Sequence, residues 1–252
     1  MIKDLIKYAL LAIALLVVTM LVTYAFAHVF HLDKTNRNAV DDWLYLLLLI
    51  PVFHKLRYID LQDAISVNRF SWGVFLVAFI CLSTMSYAID MGASLLHISK
   101  DSQSQMEMEV VRHPFALFTV SVIAPISEEI FFRGALLRRM LQSPKWSSWM
   151  AITCSALVFS ALHYYSVMII NALFVGLLFG WLYYKTRSLL LTISLHLVNN
   201  SLYSITLLTP LKDVQYAQMN TWVIVPSIVI LIALSVVSFK WLHAKFLYSP
   251  TL

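Results

Sequence analysis

Eight apolar runs divide the chain, and their lengths limit what it can fold into more than any other feature does. They cover residues 8–27, 43–53, 70–89, 114–137, 149–165, 166–184, 189–208 and 221–239. A backbone inside a bilayer must bond its own N–H and C=O groups, and a helix of about 20 apolar residues does so across the hydrocarbon core. The sequence therefore predicts an all-α fold, a polytopic membrane helical bundle of about eight transmembrane helices. The number falls to seven if residues 43–53, which are short and contain Pro51, do not cross.

The composition fits this class and excludes others. Hydrophobic residues make up 60% of the chain and charged residues 12%, about half the charged fraction of an average soluble domain. The net charge of +5 comes from Lys and Arg scattered between the apolar runs. Without a basic face, nucleic acid is excluded as a partner. No long linker or repeat interrupts the chain, so residues 1–252 are expected to form a single integral membrane domain.

Lys and Arg residues are distributed unevenly between the two ends of the predicted helices. With eight crossings, twelve fall on one side: Lys3, Lys7, Lys55, Arg57, Arg69, Arg138, Arg139, Lys145, Lys185, Arg187, Lys240 and Lys245. Five fall on the other: Lys34, Arg37, Lys100, Arg112 and Lys212. Because positively charged loops stay in the cytoplasm, we expect the first side, with the C-terminus, to be cytoplasmic in the cell membrane. With seven crossings the count is the same, so the side of the N-terminus is not fixed.

The fourth run contains charges that a lipid-facing helix would not carry, in the segment SEEIFFRG at residues 127–134. A charged side chain at the centre of a bilayer costs about 2.5–3.5 kcal/mol on insertion scales. At 100° per residue, Glu129 and Arg133 share a helix face, whereas Glu128 points elsewhere. We therefore expect Glu129 and Arg133 to form a structural ion pair that holds the helix, with Glu128 as the unpaired carboxylate.

Two later runs carry the other conspicuous polar groups. His163 follows Phe159 by four residues in FSALH, and Asn200 follows His196 by four in HLVNN. Residues four apart lie on one face of a helix. Estimated depths put the polar groups of three helices into one layer of the bilayer, as a buried site requires. Asn199 is an alternative to Asn200 as the polar partner on that helix.

A further pattern, Gly176 and Gly180 in a GxxxG arrangement, favours close helix packing in lipid. Its alternative is chance spacing, and neither interpretation bears on chemistry.

Two kinds of hydrolytic chemistry are open to these residues. A buried glutamate can act as general base toward water while a neutral histidine on a facing helix orients that water, and a second histidine with an asparagine can stabilise the oxyanion. Alternatively, Glu128, His163 and His196 match the His₂Glu ligand set of a catalytic Zn²⁺ with water in the open position. The residues alone do not choose between them.

Three motifs in order, Glu128-Glu129…Arg133 (EExxxR), Phe159…His163 (FxxxH) and His196…Asn200 (HxxxN), resemble the CAAX protease and bacteriocin-processing family (CPBP, or Abi) of intramembrane proteases. The resemblance covers residues 128–200 and implies catalytic core helices within 114–208.

It also implies an all-helical membrane fold of about eight spans with a cytoplasm-facing cavity. Glu128 and His163 would activate water, and His196 and Asn200 would stabilise the oxyanion. Family members are often called metalloproteases, so a single Zn²⁺ and a metal-free mechanism both remain open. Other intramembrane protease designs are excluded, because the chain has no HExxH, GxSG or GxGD motif.

The leading hypothesis is an endopeptidase that cleaves a membrane-associated peptide or protein near the cytoplasmic face. Its role would be bacteriocin self-immunity or C-terminal processing. Two non-enzymatic alternatives use the same polar groups: a membrane protein that passes protons or ions, since buried Glu and His also mark transport paths, and an immunity protein that shields a receptor. The substrate and the oligomeric state are not specified by the sequence.

Overall fold

The computed structural model describes residues 2–60, 67–98, 101–209 and 220–247. Over these ranges the chain is helical and has no β-strand, as the apolar runs predict. The described residues form nine helices, with a 3₁₀ turn at Val67–Arg69: α1 (Ile2–Phe30), α2 (Lys34–Lys55), α3 (Trp72–Leu95), α4 (Asp101–Val111), α5 (Pro114–Leu141), α6 (Ser148–Ala161), α7 (Ser166–Thr186), α8 (Leu189–Leu207) and α9 (Thr221–Leu247). The side chains of Lys3, Lys100 and Lys212, used in the sequence-based charge count, lie outside the described residues.

Five of the described helices are long and apolar enough to cross a membrane: α1, α3, α5, α7 and α9. The prediction of an integral membrane protein is therefore confirmed, whereas the predicted number of eight crossings is not. Each of the other three long helices is shorter or more polar: α2 carries Asp41 and Asp42 as well as charges at its ends, α6 has 14 residues, and α8 contains His196 and two asparagines.

The short run at 43–53 is the second half of a 22-residue helix. α2 begins earlier than the apolar pattern suggests, because the Asp33 carboxylate caps it by accepting a hydrogen bond from the backbone N–H of Asn36 at 2.9 Å. Pro51 lies inside the helix and does not end it.

α2 runs parallel to α5 along most of its length. Near one end the indole N–H of Trp43 donates to Thr119 Oγ1 at 3.1 Å, and the Trp43 ring stacks on Phe118. Near the other end Phe53 stacks on Phe131 with ring centroids 6.1 Å apart. α2 therefore covers the same depth of the bundle as the helix that carries the two glutamates.

Two π-helical stretches interrupt α5, at Thr119–Ile123 and Ile130–Leu137. They flank the α-helical segment Ala124–Glu129, which contains both glutamates. Single π-turns inside α-helices occur frequently at functional sites, because they rotate the residues that follow. The rotation of 100° per residue assumed in the sequence analysis therefore applies only to the α-helical segment between these stretches.

α6 and α7 form an antiparallel hairpin whose close contact depends on the two glycines. A Cβ atom at Gly176 would lie 2.9 Å from Ala156 Cα, and one at Gly180 would lie 3.1 Å from Ile152 Cγ2. Neither approach leaves room for a larger side chain. The GxxxG pattern is thus a packing motif, as one of its two interpretations predicted.

The outer helices face lipid. α9 packs against α3, where Ser235 Oγ donates to the carbonyl oxygen of Cys81 at 3.1 Å. Most of its remaining large apolar side chains are exposed, as are those of α1. In a bilayer this exposure is the expected state, since lipid tails are as apolar as the side chains themselves.

The helix α4 was not predicted from the sequence, because its composition is mostly polar. It lies across the end of the bundle where α5 begins, and its Glu107 carboxylate accepts hydrogen bonds from Tyr203 Oη at 2.6 Å and from Gln103 Nε2 at 2.7 Å. This contact ties α4 to α8.

Candidate functional site

Glu129 is fully buried and lies at the centre of the polar cluster. Its Oε1 accepts a hydrogen bond from Arg133 Nη1 at 2.6 Å, within α5, so the predicted i,i+4 ion pair is confirmed. The same oxygen lies 3.0 Å from Nδ1 of His196 on α8. A carboxylate left alone at this depth would be costly, and two cationic or donor groups offset that cost. Glu129 therefore links α5 to α8 and also forms an ion pair within α5.

Arg133 is also almost completely buried, at 1% exposure. Its guanidinium carbon lies 4.7 Å from the ring centroid of Phe159 and 5.5 Å from that of Phe179. Arg133 Nη2 also approaches the carbonyl oxygen of Gly176 at 3.5 Å. Aromatic faces stabilise a desolvated cation by about 2 kcal/mol. Phe159 thus packs against the ion pair. The GxxxG segment also gives Arg133 an acceptor, the Gly176 carbonyl oxygen, so the expectation that this motif has no bearing on the polar site was wrong.

Glu128 has a different environment from its neighbour. Its side chain is 35% exposed, and its Oε2 lies 3.7 Å from Nε2 of His196. Its carboxyl group also interacts electrostatically with the imidazole of His163. Residues of all three motifs therefore belong to one cluster, in which Glu128 lies beside the histidine of HxxxN and within electrostatic range of the histidine of FxxxH.

His163 lies beyond the end of α6, whereas the sequence analysis placed it on the helix with Phe159. α6 ends at Ala161, and His163 follows in the short loop before α7. Its Nδ1 lies 3.0 Å from the carbonyl oxygen of Phe159, and the two rings make an edge contact with centroids 5.0 Å apart. The i,i+4 contact survives because the ring is a second donor to a carbonyl in the last turn of the helix, which also accepts from the backbone N–H of Leu162 at 3.4 Å.

The partners of the two imidazoles fix their tautomers. A carbonyl oxygen and an ionised carboxylate can only accept, so Nδ1 of His163 donates to Phe159 and Nδ1 of His196 donates to Glu129. In the neutral state, each ring then presents an unprotonated Nε2. For His196 this atom faces Glu128, where two acceptors lie 3.7 Å apart with no donor between them.

Asn200 lies one turn after His196 on α8. Its Nδ2 donates to the carbonyl oxygen of Val120, in the first π-helical stretch of α5, at 3.1 Å. Its Oδ1 accepts from Asn199 Nδ2 at 3.3 Å. Among the described residues, one N–H of the Asn200 amide therefore has an acceptor and the other has none. Asn199, the alternative partner, supports Asn200 instead.

Over the described ranges, no three His, Cys, Asp or Glu side chains converge closely enough to hold a metal ion. The acceptors on both Nδ1 atoms leave the two Nε2 atoms unprotonated, as they would be in histidines that bind a metal. The His₂Glu zinc set of Glu128, His163 and His196 therefore stays a prediction, and no step below uses a metal.

Two further residues at the site had no sequence signal. The Phe179 ring lies 5.6 Å from that of His196, so it helps to orient this imidazole. The carboxyl group of Asp42, on α2, interacts electrostatically with Glu128. Both contacts depend on how the helices are arranged around α5, which the motifs do not specify.

Comparison with known proteins finds a family match for the middle of the chain. Residues 111–202 match the family model of the type II CAAX prenyl endopeptidase Rce1-like proteins, and all three motifs lie within that range. The resemblance drawn from the motifs is thereby confirmed. The chain is also 32% identical, over 84 residues, to an uncharacterized 24.3 kDa protein of Escherichia coli. That alignment covers 32% of this chain and 39% of the E. coli protein. No solved structure matches the chain significantly.

Proposed function

We propose that this protein is an intramembrane endopeptidase that hydrolyses a peptide bond with water activated by Glu128. The premise is that residues 111–202 belong to the Rce1-like family of CAAX-type membrane endopeptidases. The family supports a membrane protease, and the geometry of the site supports the roles of individual residues.

One observation carries the proposal. Glu128 is partly exposed beside two imidazoles whose Nδ1 atoms are both occupied by acceptors. A carboxylate oxygen and the Nε2 atoms of the two imidazoles are therefore the acceptors of this cluster. A water molecule, with two O–H donors, satisfies two of them, and it is the reactant that hydrolysis needs.

The first chemical step forms the bond to water. The water donates one hydrogen bond to Glu128 and the other to His163 Nε2. As the water oxygen attacks the carbonyl carbon of the substrate, its proton passes to Glu128 and the carbonyl π electrons move to the oxygen. The unengaged N–H of Asn200 donates to this oxyanion.

The second step breaks the C–N bond. The proton on Glu128 passes to His196 Nε2, 3.7 Å away in the resting state, and the imidazolium so formed is stabilised by the buried carboxylate of Glu129. Its Nε2–H can then donate to the oxyanion before the proton is delivered to the departing amine. The products are a carboxylic acid and an amine, and the four groups return to their initial protonation states.

We further propose that all eight long helices cross the membrane, leaving α4 at one surface, and that the C-terminus is cytoplasmic. Two antiparallel helix pairs support the alternation. In α5 and α8, Ser121 contacts Ser204 and Glu129 contacts His196. In α3 and α9, Gly73 lies near Lys245 and Cys81 contacts Ser235. The parallel course of α2 and α5 supports a crossing by residues 43–53.

The decisive experiment compares Glu128→Gln with the wild-type protein on a fluorogenic membrane-anchored peptide. Removing a general base costs about 10²–10⁴-fold in rate, so we expect kcat to fall by that factor with normal expression and folding. Glu109→Gln is the matched control, since Glu109 pairs with Arg112 on exposed α4 and should leave the rate unchanged. Equal cleavage by wild type and Glu128→Gln would refute the role of Glu128, and no cleavage by the purified wild-type protein would favour passage of protons or shielding of a receptor.

The physiological role follows as a separate proposal, either bacteriocin self-immunity or C-terminal processing. Cells that lose resistance to a bacteriocin when they carry Glu128→Gln would establish the first. Accumulation of an untrimmed membrane protein in such cells would establish the second.

A further inference from the structure

The hydrogen-bond register of α5 changes shortly before the two glutamates. In an α-helix each backbone N–H donates to the carbonyl oxygen four residues back, whereas in a π-helix it donates to the one five residues back. At the end of the π-helical stretch Thr119–Ile123, the N–H of Ala124 donates to the carbonyl oxygen of Thr119. For the next carbonyl oxygen, that of Val120, the corresponding donor would be the N–H of residue 125.

That residue is Pro125, which has no backbone N–H. Two positions would supply a donor to the Val120 oxygen: residue 124 in an α-helical register and residue 125 in a π-helical one. The N–H of the first is engaged with Thr119, and the second has none. Proline is tolerated inside membrane helices where a neighbouring helix bonds the backbone group that it leaves free. The Val120 oxygen therefore needs a donor from outside α5.

Asn200 of α8 supplies this donor. Its Nδ2 donates to the Val120 oxygen at 3.1 Å, and its Oδ1 accepts from Asn199 at 3.3 Å. Because the amide group is planar, these two bonds fix the direction of the remaining N–H, which the proposed reaction uses for the oxyanion. One turn further along α8, Ser204 Oγ lies 2.7 Å from Ser121 Oγ, and both serines are buried. The two helices are thus held together on both sides of the amide contact.

We infer that Pro125 is a positioning residue for the proposed hydrolysis. Because it lacks an N–H, it leaves the Val120 carbonyl oxygen free to hold the Asn200 amide in the orientation that meets the oxyanion. The inference rests on the proposed function and adds to it a residue that does not touch the substrate. Replacing this proline should make α5 more regular and the peptidase slower.

The rate of Pro125→Ala tests this role. The alanine N–H can donate to the Val120 oxygen and release Asn200, and alanine favours a helix, so the variant should fold as well as the wild type. Misplacement of a reacting group costs up to about 10²-fold in rate. We expect kcat on the fluorogenic membrane-anchored peptide to fall by about 10- to 10²-fold with KM unchanged, since the oxyanion exists only in the transition state. A wild-type kcat for Pro125→Ala overturns the inference.

Pro226→Ala is the matched control. Pro226 also lies inside a long helix, but on α9, which packs against α3. Its replacement should leave kcat and KM at their wild-type values. An equal fall in kcat for Pro226→Ala and Pro125→Ala would show a general effect of removing a helix proline and overturns the inference.

A double-mutant cycle separates positioning from an independent structural role. If Pro125 acts through Asn200, Pro125→Ala combined with Asn200→Ala should be as slow as Asn200→Ala alone. Losses that multiply in the double variant overturn the inference.

The same cycle followed by thermal unfolding does not depend on activity. Asn200→Ala removes the donor to the Val120 oxygen, so it should lower Tm in the wild-type background. In the Pro125→Ala background the shift should be much smaller, because the backbone N–H of residue 125 then donates instead. An equal Tm shift in both backgrounds overturns the inference. No cleavage by purified wild-type protein, together with the smaller shift, would instead refute the proposed function while confirming that Pro125 holds the Asn200 amide in place.

Discussion

α5 and α9 are two helices of similar length and opposite character. Half of the residues in the apolar window of α5 are buried inside the bundle, compared with 17% for α9. α5 holds two buried charges and two π-helical stretches, whereas α9 is regular, and its apolar side chains face outward. The difference teaches that a helix can carry ionised groups at membrane depth only where other helices replace water as their solvent. The following predictions test how far this contrast extends.

The largest structural effect should come from Arg133→Met. Removing one partner of a buried ion pair leaves the other charge uncompensated, which costs about 3–5 kcal/mol, and here Glu129 is 0% exposed. We expect that loss in the free energy of unfolding, measured by denaturant titration in micelles. Lys240→Met, at an exposed position of α9, is the control and should shift it by less than about 0.5 kcal/mol. Equal losses of unfolding free energy in Arg133→Met and Lys240→Met would contradict the contrast between α5 and α9.

A smaller effect should come from Gly176→Ala, which tests the wall behind Arg133. The added Cβ would lie 2.9 Å from Ala156 Cα, and overpacking of this kind costs about 1–3 kcal/mol. Gly92→Ala on α3 is the matched control, since a Cβ there meets nothing within 4 Å. It should be neutral or stabilise the helix by about 0.5–1 kcal/mol. Thermal unfolding of both variants measures the difference, and a neutral Gly176→Ala would contradict the tight packing.

In the buried contact between α9 and α3, Ser235→Ala should have a still smaller effect. It removes the hydrogen bond to the carbonyl oxygen of Cys81 between α9 and α3. Such bonds average about 0.6 kcal/mol inside membrane proteins. We expect a loss of that size in the free energy of unfolding and no change in the rate of peptide cleavage. A fall in activity with unchanged stability would show that α9 takes part in the site.

The smallest effect should follow from acidification at the start of α2. The backbone N–H of Asn36, which donates to Asp33, lowers the pKa of that carboxyl below its ordinary value, and nearby His113 acts in the same direction. The stabilisation is therefore complete above the unfolded-state pKa of about 3.9 and is lost as the pH falls through the lower folded-state pKa. Hydrogen exchange at the first turn of α2 should increase there in wild type, but not in Asp33→Asn.

The sequence predicted the helices of the core and the pairing of Glu129 with Arg133, because both follow from spacing along one helix. It also predicted that Glu128 would stand apart from its neighbour. The bond between Glu129 and His196 could not be predicted, since it depends on the rotation of α8 against α5. The same holds for the π-helical stretches and for the end of α6 at Ala161, where no Gly or Pro marks the boundary.

The length of α6 has a consequence for the lipid around the protein. Its 14 residues span about 21 Å at 1.5 Å per residue, whereas the hydrocarbon core is about 30 Å thick. With α6 crossing as we propose, a helix this short would draw the nearby leaflet inward and thin the bilayer locally. The headgroups and their hydration water would then reach down to the loop that holds His163. The bilayer itself, deformed beside one short helix, would supply the water that the reaction consumes.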